Sequence, residues 1–312
     1  MTMVSASPRL RPWAGLFGEL LRDRVATLAA AFLALLLVAA IFAPLIAPHD
    51  PAAQQLRARL DPPVWIEGGS WSHVLGTDNL GRDVLSRIIH GARSSLVIAL
   101  SVLAVAGSFG VVMGLLAGFI GGRTDALIMR VVDTQLSFPD LLLALTVLTV
   151  VGASPTTVVI ILSIGGWMIF ARMTRGIVAS ARQEGYVEAA ELVGASRLRI
   201  IFRHVLPNLS APLLTLAIIE FARIVLAEAA LSFLGMGVQP PATSWGLDVA
   251  IGKDQVFGAW WLVTFPGLAI ALTILSANML ANWVQATIDP TEREKRFALS
   301  TAFRRRAGKA RP

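Results

Sequence analysis

Residues Glu188 to Pro207 read Glu-Ala-Ala-Glu-Leu-Val-Gly-Ala-Ser-Arg-Leu-Arg-Ile-Ile-Phe-Arg-His-Val-Leu-Pro. The stretch is charged and helix-prone, and it lies between two long apolar runs. Glu184, Glu188 and Glu191 recur at spacings of four and three, which puts them on one face of a short helix. Gly194 is placed to end that helix, because glycine accepts the left-handed backbone needed just past a helix terminus. Ser196 can cap a second helical turn running through Arg197, Arg199 and Arg203. Pro207 suits the first turn of the helix that follows. A polar helix-turn-helix between apolar runs offers its surface either to a partner chain or to lipid headgroups.

The flanking runs fix the environment. Of 312 residues, 55% are hydrophobic and 15% charged, against about a quarter charged in soluble proteins. Mean hydropathy is +0.68. Ser94 to Gly122 carries no Asp, Glu, Lys or Arg, and neither does Leu141 to Ala171. Runs longer than about 18 such residues indicate transmembrane helices. The pattern predicts an all-α membrane protein with six spans: Val25–Ala47, Ser94–Gly121, Ala126–Val151, Thr156–Ala171, Pro207–Gly235 and Ala259–Ile288. The first apolar run is longer than the h-region of a signal peptide, which argues against cleavage.

Basic residues set the orientation. The tail from Thr291 holds eight basic residues against two acidic, and Arg172 to Pro207 holds six against three. The N-terminal tail has Arg9, Arg11, Arg22 and Arg24, whereas Met236 to Gly258 has only Asp248, Lys253 and Asp254. Residues 1–24 and 289–312 are therefore expected to be cytoplasmic tails. Residues 25–47 form the first span, 48–93 an extracytoplasmic loop, and 94–288 a five-helix core that includes the cytoplasmic loop 172–207. The tail from Arg304 to Pro312 has little apolar surface to bury and reads as disordered. Trp260 and Trp261 fall where the sixth span should meet the outer headgroups. The net charge of +7 flanks apolar segments, so it signals topology and not nucleic acid.

Glu188, Ala189, Ala190, Gly194, Ile201, Leu206 and Pro207 together resemble the cytoplasmic coupling loop of ABC importer permeases. Three further stretches resemble the second permease of dipeptide, oligopeptide, nickel and glutathione importers. They are Phe42-Ala-Pro-Leu-Ile-Ala-Pro-His-Asp-Pro51, Leu75-Gly-Thr-Asp-Asn-Leu-Gly-Arg-Asp-Val-Leu-Ser-Arg87 with Gly91-Ala92-Arg93, and Ala227-Glu-Ala-Ala-Leu-Ser-Phe-Leu-Gly-Met-Gly-Val-Gln-Pro-Pro241 with Ser244-Trp-Gly246. The likeness covers about residues 25 to 290. It departs at Ala281-Asn282-Trp283, where the family often has Gly-Asp, although Asp289-Pro290 is retained.

The resemblance implies a type I ABC importer permease-like fold in a bacterial inner membrane. It implies a second homologous permease, two ATP-binding subunits and an extracytoplasmic substrate-binding protein as partners. No cofactor is expected in this chain; ATP and Mg2+ would be bound by the ATPase subunits. The chain itself agrees, since it has no phosphate-binding Gly-x-x-x-x-Gly-Lys-Ser/Thr loop. It also has no cysteine, which excludes disulfides and thiol catalysis. An enzyme is not expected. Peptides are the first cargo the resemblance suggests, then nickel or glutathione.

Charges inside apolar runs are costly and mark pathways or partner charges. Arg130, Asp133, Ser137 and Asp140 are spaced as one stripe on the third span, with Arg130 and Asp133 able to pair. Glu220, Arg223 and Glu228 lie on the fifth, with Arg223 placed to neutralise Glu220. Pathway lining and pairing between permeases both remain open for these groups. An ion-coupled secondary transporter using Glu220, Arg223 and Glu228 is the alternative function. It would leave the Glu188 loop unexplained, and no inverted repeat is visible. Asp133 and Asp140, seven residues apart, are too far along a helix to share a proton, which counts against a hydrolase. Gly110, Gly114, Gly118 and Gly122 recur every four residues and predict a close-packed helix face. In the outer loop Asp78 is a candidate cap for a helix through His90, from which Arg82 and Arg87 would project. That helix would lie against the partner permease, the binding protein or the membrane surface.

Overall fold

The computed structural model describes residues 18–288. The basic tail from Thr291, Asp289-Pro290 and the first residues of the N-terminal tail lie outside the described residues. Regular structure within them is helical: α1 Arg24–Ile41, α2 Val84–Ile120, α3 Gly122–Leu136, α4 Asp140–Val151, α5 Pro155–Ala181, α6 Gly185–Leu192, α7 Arg197–Ile200, α8 Leu206–Phe233, α9 Trp245–Gly252 and α10 Trp261–Ile288. Five of these are long and apolar enough to cross a membrane, and the bent pair α3–α4 brings the number to six when it is counted as one span.

Local chemistry sets most boundaries. Asp23 caps α1 by accepting from the N–H groups of Val25 and Ala26 at 3.1 and 3.2 Å. Gly152, with φ +96°, makes the turn into α5, where Ser154 Oγ accepts from Thr157 N–H at 3.1 Å. Pro155 takes the first helical position, where its missing N–H costs nothing. Gly235, with φ +78°, closes α8.

Three spans differ from the expected ones. The second begins at Val84, not Ser94, and runs for 37 residues. That is roughly 55 Å of helix, well over the 30 Å or so of a hydrocarbon core, so α2 stands out beyond the lipid. Its cap is Asp83, whose Oδ2 accepts from Ser86 N–H at 2.8 Å. Asp78 is used elsewhere. The fourth span continues to Ala181, so Arg172 and Arg175 belong to the helix and not to a loop.

The third span is broken, with an 83° bend between α3 and α4. The cause is local. Pro139 has no N–H to continue the helix and disfavours a helical Phe138 before it. Ser137 N–H and Phe138 N–H turn back to Thr134 and Gln135 carbonyls at 3.3 and 3.1 Å. Ser137 Oγ donates to the Asp133 carbonyl at 2.9 Å, the bond its own N–H would have made. Asp140 therefore starts a new helix, and the stripe from Arg130 is not continuous.

The bundle is built on the contact between α2 and α5. A methyl group added at Gly110 would lie 2.3 Å from the Trp167 carbonyl oxygen, at Gly114 2.5 Å from that of Ala171, and at Gly118 2.8 Å from Val178 Cβ. The backbones touch there only because those positions lack side chains. Gly122 is not part of this face. Its φ is +55° with open space around it, and it serves the α2–α3 turn. Ala106, Val132, Trp167, Met168 and Ala171 pack at one level of the contact, and Phe119, Val178, Ile200, Val205 and Leu209 at another.

The segment between α1 and α2 folds onto the opposite end. Asp78 accepts from Leu80 N–H, Arg82 N–H and Arg82 Nε at 2.8, 2.9 and 2.6 Å. Arg87 Nε donates to Asp248 Oδ1 at 2.9 Å and Arg87 Nη1 to the Pro51 carbonyl at 3.3 Å. Asp78, Arg82, Arg87 and Asp248 are all buried, so Arg82 and Arg87 do not project. Burial pushes the Asp248 carboxyl up from its ordinary value, while the Arg87 guanidinium and the Thr243 hydroxyl pull it back. Trp261, buried, donates from Nε1 to the Thr77 carbonyl at 3.1 Å, so it secures this segment instead of lying among headgroups. Trp260 keeps an exposed edge. Gly81, with φ +72°, passes so close to Gln55 that a methyl group would sit 1.9 Å from its carbonyl oxygen.

The seam predicts a positional effect of bulk. Gly114→Leu and Gly118→Leu should each lower the melting temperature and the yield of monodisperse protein in detergent, at a cost of about 1–3 kcal/mol or more. Gly176→Leu, on α5 with open space around it, should behave like the parent. Equal melting of all three variants would remove the seam as the organising contact.

Candidate functional site

Besides the buried network between the α1–α2 segment and Asp248, two places carry candidate functional groups. The first lies at the bend of the third span. Arg223, on α8, donates from Nε to Glu220 Oε2 at 2.7 Å and from Nη1 to Asp140 Oδ2 at 3.3 Å. The expected Glu220–Arg223 pair is present, and Asp140 is a second carboxylate on the same guanidinium. Two glycines of α5 make room for the trio. A methyl group on Gly165 would lie 3.8 Å from Asp140 Cγ, and one on Gly166 3.5 Å from Arg223 Nη2. Glu220 is buried, but the Arg223 and Asp140 side chains are 34% and 41% exposed.

Asp133 pairs with Arg172 of α5 and not with Arg130. Both of its members are more than half exposed, at 62% and 55%. Arg130 has no ion pair among the described residues. It borders a shallow apolar groove with Thr134, Gln135, Phe138 and Ile164. One further pair escaped the sequence reading: Arg175 grips Asp125 through two bonds of 2.8 and 2.7 Å. Ion pairs left open on a helical bundle are costly against lipid tails. The exposed pairs Asp133–Arg172 and Asp140–Arg223 therefore meet water or another protein.

Glu228 belongs to neither. It is fully buried, and its carboxylate accepts from Ser95 Oγ at 2.9 Å and Ser232 Oγ at 2.7 Å. It ties α8 to α2 and does not reach the open face.

The second place is the segment from Gln183 to Leu206. Gly194 has φ +81°. Val193 N–H bonds back to Ala189 and Ala195 N–H to Ala190, at 3.2 and 3.0 Å, closing α6 in a left-handed turn. Ser196 Oγ then accepts from Arg199 N–H at 3.4 Å to open α7. A π-helical turn, Ile201–Val205, leads directly into α8 with Pro207 in its first turn. The second short helix and the fifth span are thus one continuous rod. Ile200 and Val205 are wholly buried against Phe119 and Val178, and Ala190, Ile201 and Leu206 pack beside them. Glu184 and Ala189 are exposed. The side chains of Glu188 and Glu191 lie outside the described residues.

The sequence reading missed Leu192 and Val193. They are 83% and 89% exposed at the tip of α6. Adjacent large apolar side chains beside a helix-ending glycine, on a segment otherwise polar, were the available signal.

A helical bundle of six spans, with paired charges on one open face and a rigidly anchored polar segment at one end, is a membrane transport component. Residues 110–294 match the family described as binding-protein-dependent transport system inner membrane component, and residues 11–63 match the N-terminal TM domain of oligopeptide transport permease C. The chain belongs to this family: it is a multi-pass inner-membrane permease of an ABC importer. It is 44% identical to the di/tripeptide transport system permease protein DppC of Pseudomonas aeruginosa (strain UCBPP-PA14), over 83% of this chain and 86% of that one. It is 41% identical to the dipeptide transport system permease protein DppC of Escherichia coli (strain K12), over 92% and 96%. A solved chain of the MetNI methionine ABC transporter, in an inward-facing conformation, overlaps 64% of this chain and 96% of its own with a TM-score of 0.46 and 19% identity.

The charged trio makes an ordered prediction. Arg223→Gln leaves two carboxylates without their cation and should destabilise most, by on the order of 2 kcal/mol; the figure is below the 3–5 of a fully buried pair because Arg223 is a third exposed. Glu220→Gln leaves Asp140 to hold Arg223 and should cost less. Adding Glu220→Gln and Asp140→Asn to Arg223→Gln should recover part of the loss. Melting temperatures in detergent, read as a mutant cycle, check the order; additive losses would show that the three groups do not act together.

Proposed function

We propose that this chain is one of two homologous permeases in an ATP-driven importer of di- or oligopeptides, forming half of the translocation pathway. The observation that carries the cargo class is the identity of 44% and 41%, over nearly whole chains, to permeases named for di/tripeptides and dipeptides. Nickel and glutathione are the other cargoes the sequence pattern admits. Asp133, Asp140, Arg172 and Arg223 line the pathway side. Groups of both signs suit a zwitterionic peptide that must be passed on without being held.

Energy enters from two separate ATP-binding subunits, which hold ATP and Mg2+, and cargo arrives on an extracytoplasmic binding protein. The positive-inside bias supports a cytosolic position for both termini and for the segment from Glu184 to Pro207. There the α6 tip, with Leu192 and Val193 exposed, docks into the ATPase. Glu184, Glu188, Ala189, Ala190 and Gly194 shape the docking surface, and Ile201, Leu206 and Pro207 join it to the fifth span. Motion of the ATPase reaches Arg223 through the Gly194 turn and then through α7, the π turn and α8, which follow one another with no loop between them.

Reconstitution of the importer in vesicles, with labelled dipeptide outside and ATP inside, tests both parts. Glu188→Lys should leave insertion intact and abolish ATP-driven uptake. Gly194→Val should act alike, since a β-branched residue at φ +81° costs about 1–3 kcal/mol of backbone strain. Normal uptake by both variants would sink the coupling assignment. Uptake of nickel or glutathione but not of dipeptides by the parent would sink the cargo assignment.

A further inference from the structure

His49, His73 and Asp83 meet at the end of the bundle remote from α6, where the segment after α1 comes back against the start of α2. Their potential ligand atoms all lie within 4.8 Å of one another. His73 Nδ1 is 3.1 Å from Asp83 Oδ1, and His49 Nδ1 is 3.7 Å from Asp83 Oδ2. The two imidazole rings are 4.9 Å apart between centroids and inclined by 38°, both edged toward one carboxylate. The His73 and Asp83 side chains are 6% and 1% exposed. His49 keeps an open edge, at 33%, but its Nδ1 is shielded from solvent and has no hydrogen-bond partner.

A hydrogen bond between His73 Nδ1 and Asp83 Oδ1 completes only half of this arrangement. Even protonated, His49 Nδ1 stands beyond hydrogen-bond reach of Asp83 Oδ2. A metal ion can complete it. Bonds of about 2.0–2.1 Å at tetrahedral angles set ligand atoms about 3.3 Å apart; His73 Nδ1 is 3.1 Å from one Asp83 oxygen and His49 Nδ1 3.7 Å from the other, and the three ligand atoms, now within 4.8 Å of one another, would draw together on an ion. The surroundings also orient the ligands, as metal sites require. Ser86 Oγ donates to Asp83 Oδ2 at 2.7 Å and accepts from the His49 N–H at 3.0 Å, and Ser86 N–H holds the same carboxylate oxygen. One serine thus fixes the backbone of one ligand and the side chain of another.

We propose that His49, His73 and Asp83 bind a divalent first-row transition metal ion, with zinc the best match to two imidazoles and one carboxylate. The fourth position opens at the exposed edge of His49 and takes water. The ion is a resident clamp and not cargo. It pins the stretch just after the first span and the loop residue His73 to the cap of the second span, closing the long connection between them. None of the three ligands is among the groups assigned to coupling or to the pathway.

The test uses the full-length chain in detergent, purified with a tag that contains no histidine and stripped with chelator. Equilibrium dialysis against zinc should give one ion per chain, cobalt in its place should show visible d–d absorption, and zinc should raise the melting temperature. His49→Ala and His73→Ala should lose all three effects, and Ser86→Ala should weaken binding roughly 10- to 100-fold. His90→Ala and His204→Ala, the remaining histidines, should bind as the parent does. His49→Cys separates loss of a ligand from loss of fold. The chain has no other cysteine, so a thiolate–cobalt charge-transfer band in that variant would place the ion at residue 49. No stoichiometric zinc in the parent, or unchanged binding in both His49→Ala and His73→Ala, overturns the proposal.

Discussion

The backbone contact between α2 and α5 is the constraint on which the rest of the chain depends. In lipid there is no hydrophobic force to press helices together, so close van der Waals packing must do it. Gly110, Gly114 and Gly118 allow that approach over about two turns of helix. The consequences run in both directions along α5. Toward the α6 end, Val178 meets Phe119, and the pocket they make receives Ile200 and Val205. Toward the middle of the bundle, Gly165 and Gly166 leave space for the Asp140–Arg223–Glu220 trio. The same helix carries Arg172 and Arg175, whose partners Asp133 and Asp125 lie on α3. Separation of α2 from α5 would therefore reach both the anchored segment and the charged face.

The two ends of the bundle are held differently. At the α6 end the anchoring is apolar, through Ile200, Val205 and Leu209, and such contacts let a rod tilt without breaking directed bonds. At the other end Asp78, Arg82, Arg87 and Asp248 form a buried network of directed bonds. Removing one member leaves a buried charge unpaired, which is far more costly than removing a matched pair.

What could be read from sequence was what depends on neighbours in sequence. The six apolar runs, the Gly194 turn, the Ser196 cap and the four-residue glycine period are all local patterns, and the fold carries them, with Gly122 the exception at the point where α2 ends. Charge partners were legible only within a turn of helix, as for Glu220 and Arg223. Arg172 and Asp133 are 39 residues apart in sequence and Arg87 and Asp248 are 161; only the packing of α5 on α3, and of α9 against α2, brings them together. Arg82 and Arg87 read as projecting for the same reason: burial of an arginine is unfavourable until its carboxylate is in view. Asp78, expected as the cap of α2, instead holds its own turn through Leu80 and Arg82, and Asp83 takes the cap. The break at Pro139 was, like Leu192 and Val193, a local signal passed over, because an apolar run suggests continuity more strongly than a single proline suggests a break.

The break explains why the open face is where it is. A straight third span would carry Asp133 and Asp140 on a single helix, each needing its own cation from a neighbour. The 83° bend instead turns the two halves apart. The first half keeps Asp133 beside Arg172, and the second starts with Asp140 beside Arg223. The bend also ends a helix within the bundle, leaving carbonyls of α3 and N–H groups of α4 without helical partners. Non-helical backbone at that depth is tolerated only against protein or water, which is the same condition the exposed ion pairs impose. Two independent requirements, satisfied backbone and solvated charge, thus fall on one face of the chain. Lipid tails meet neither requirement, so these groups lie against protein or water.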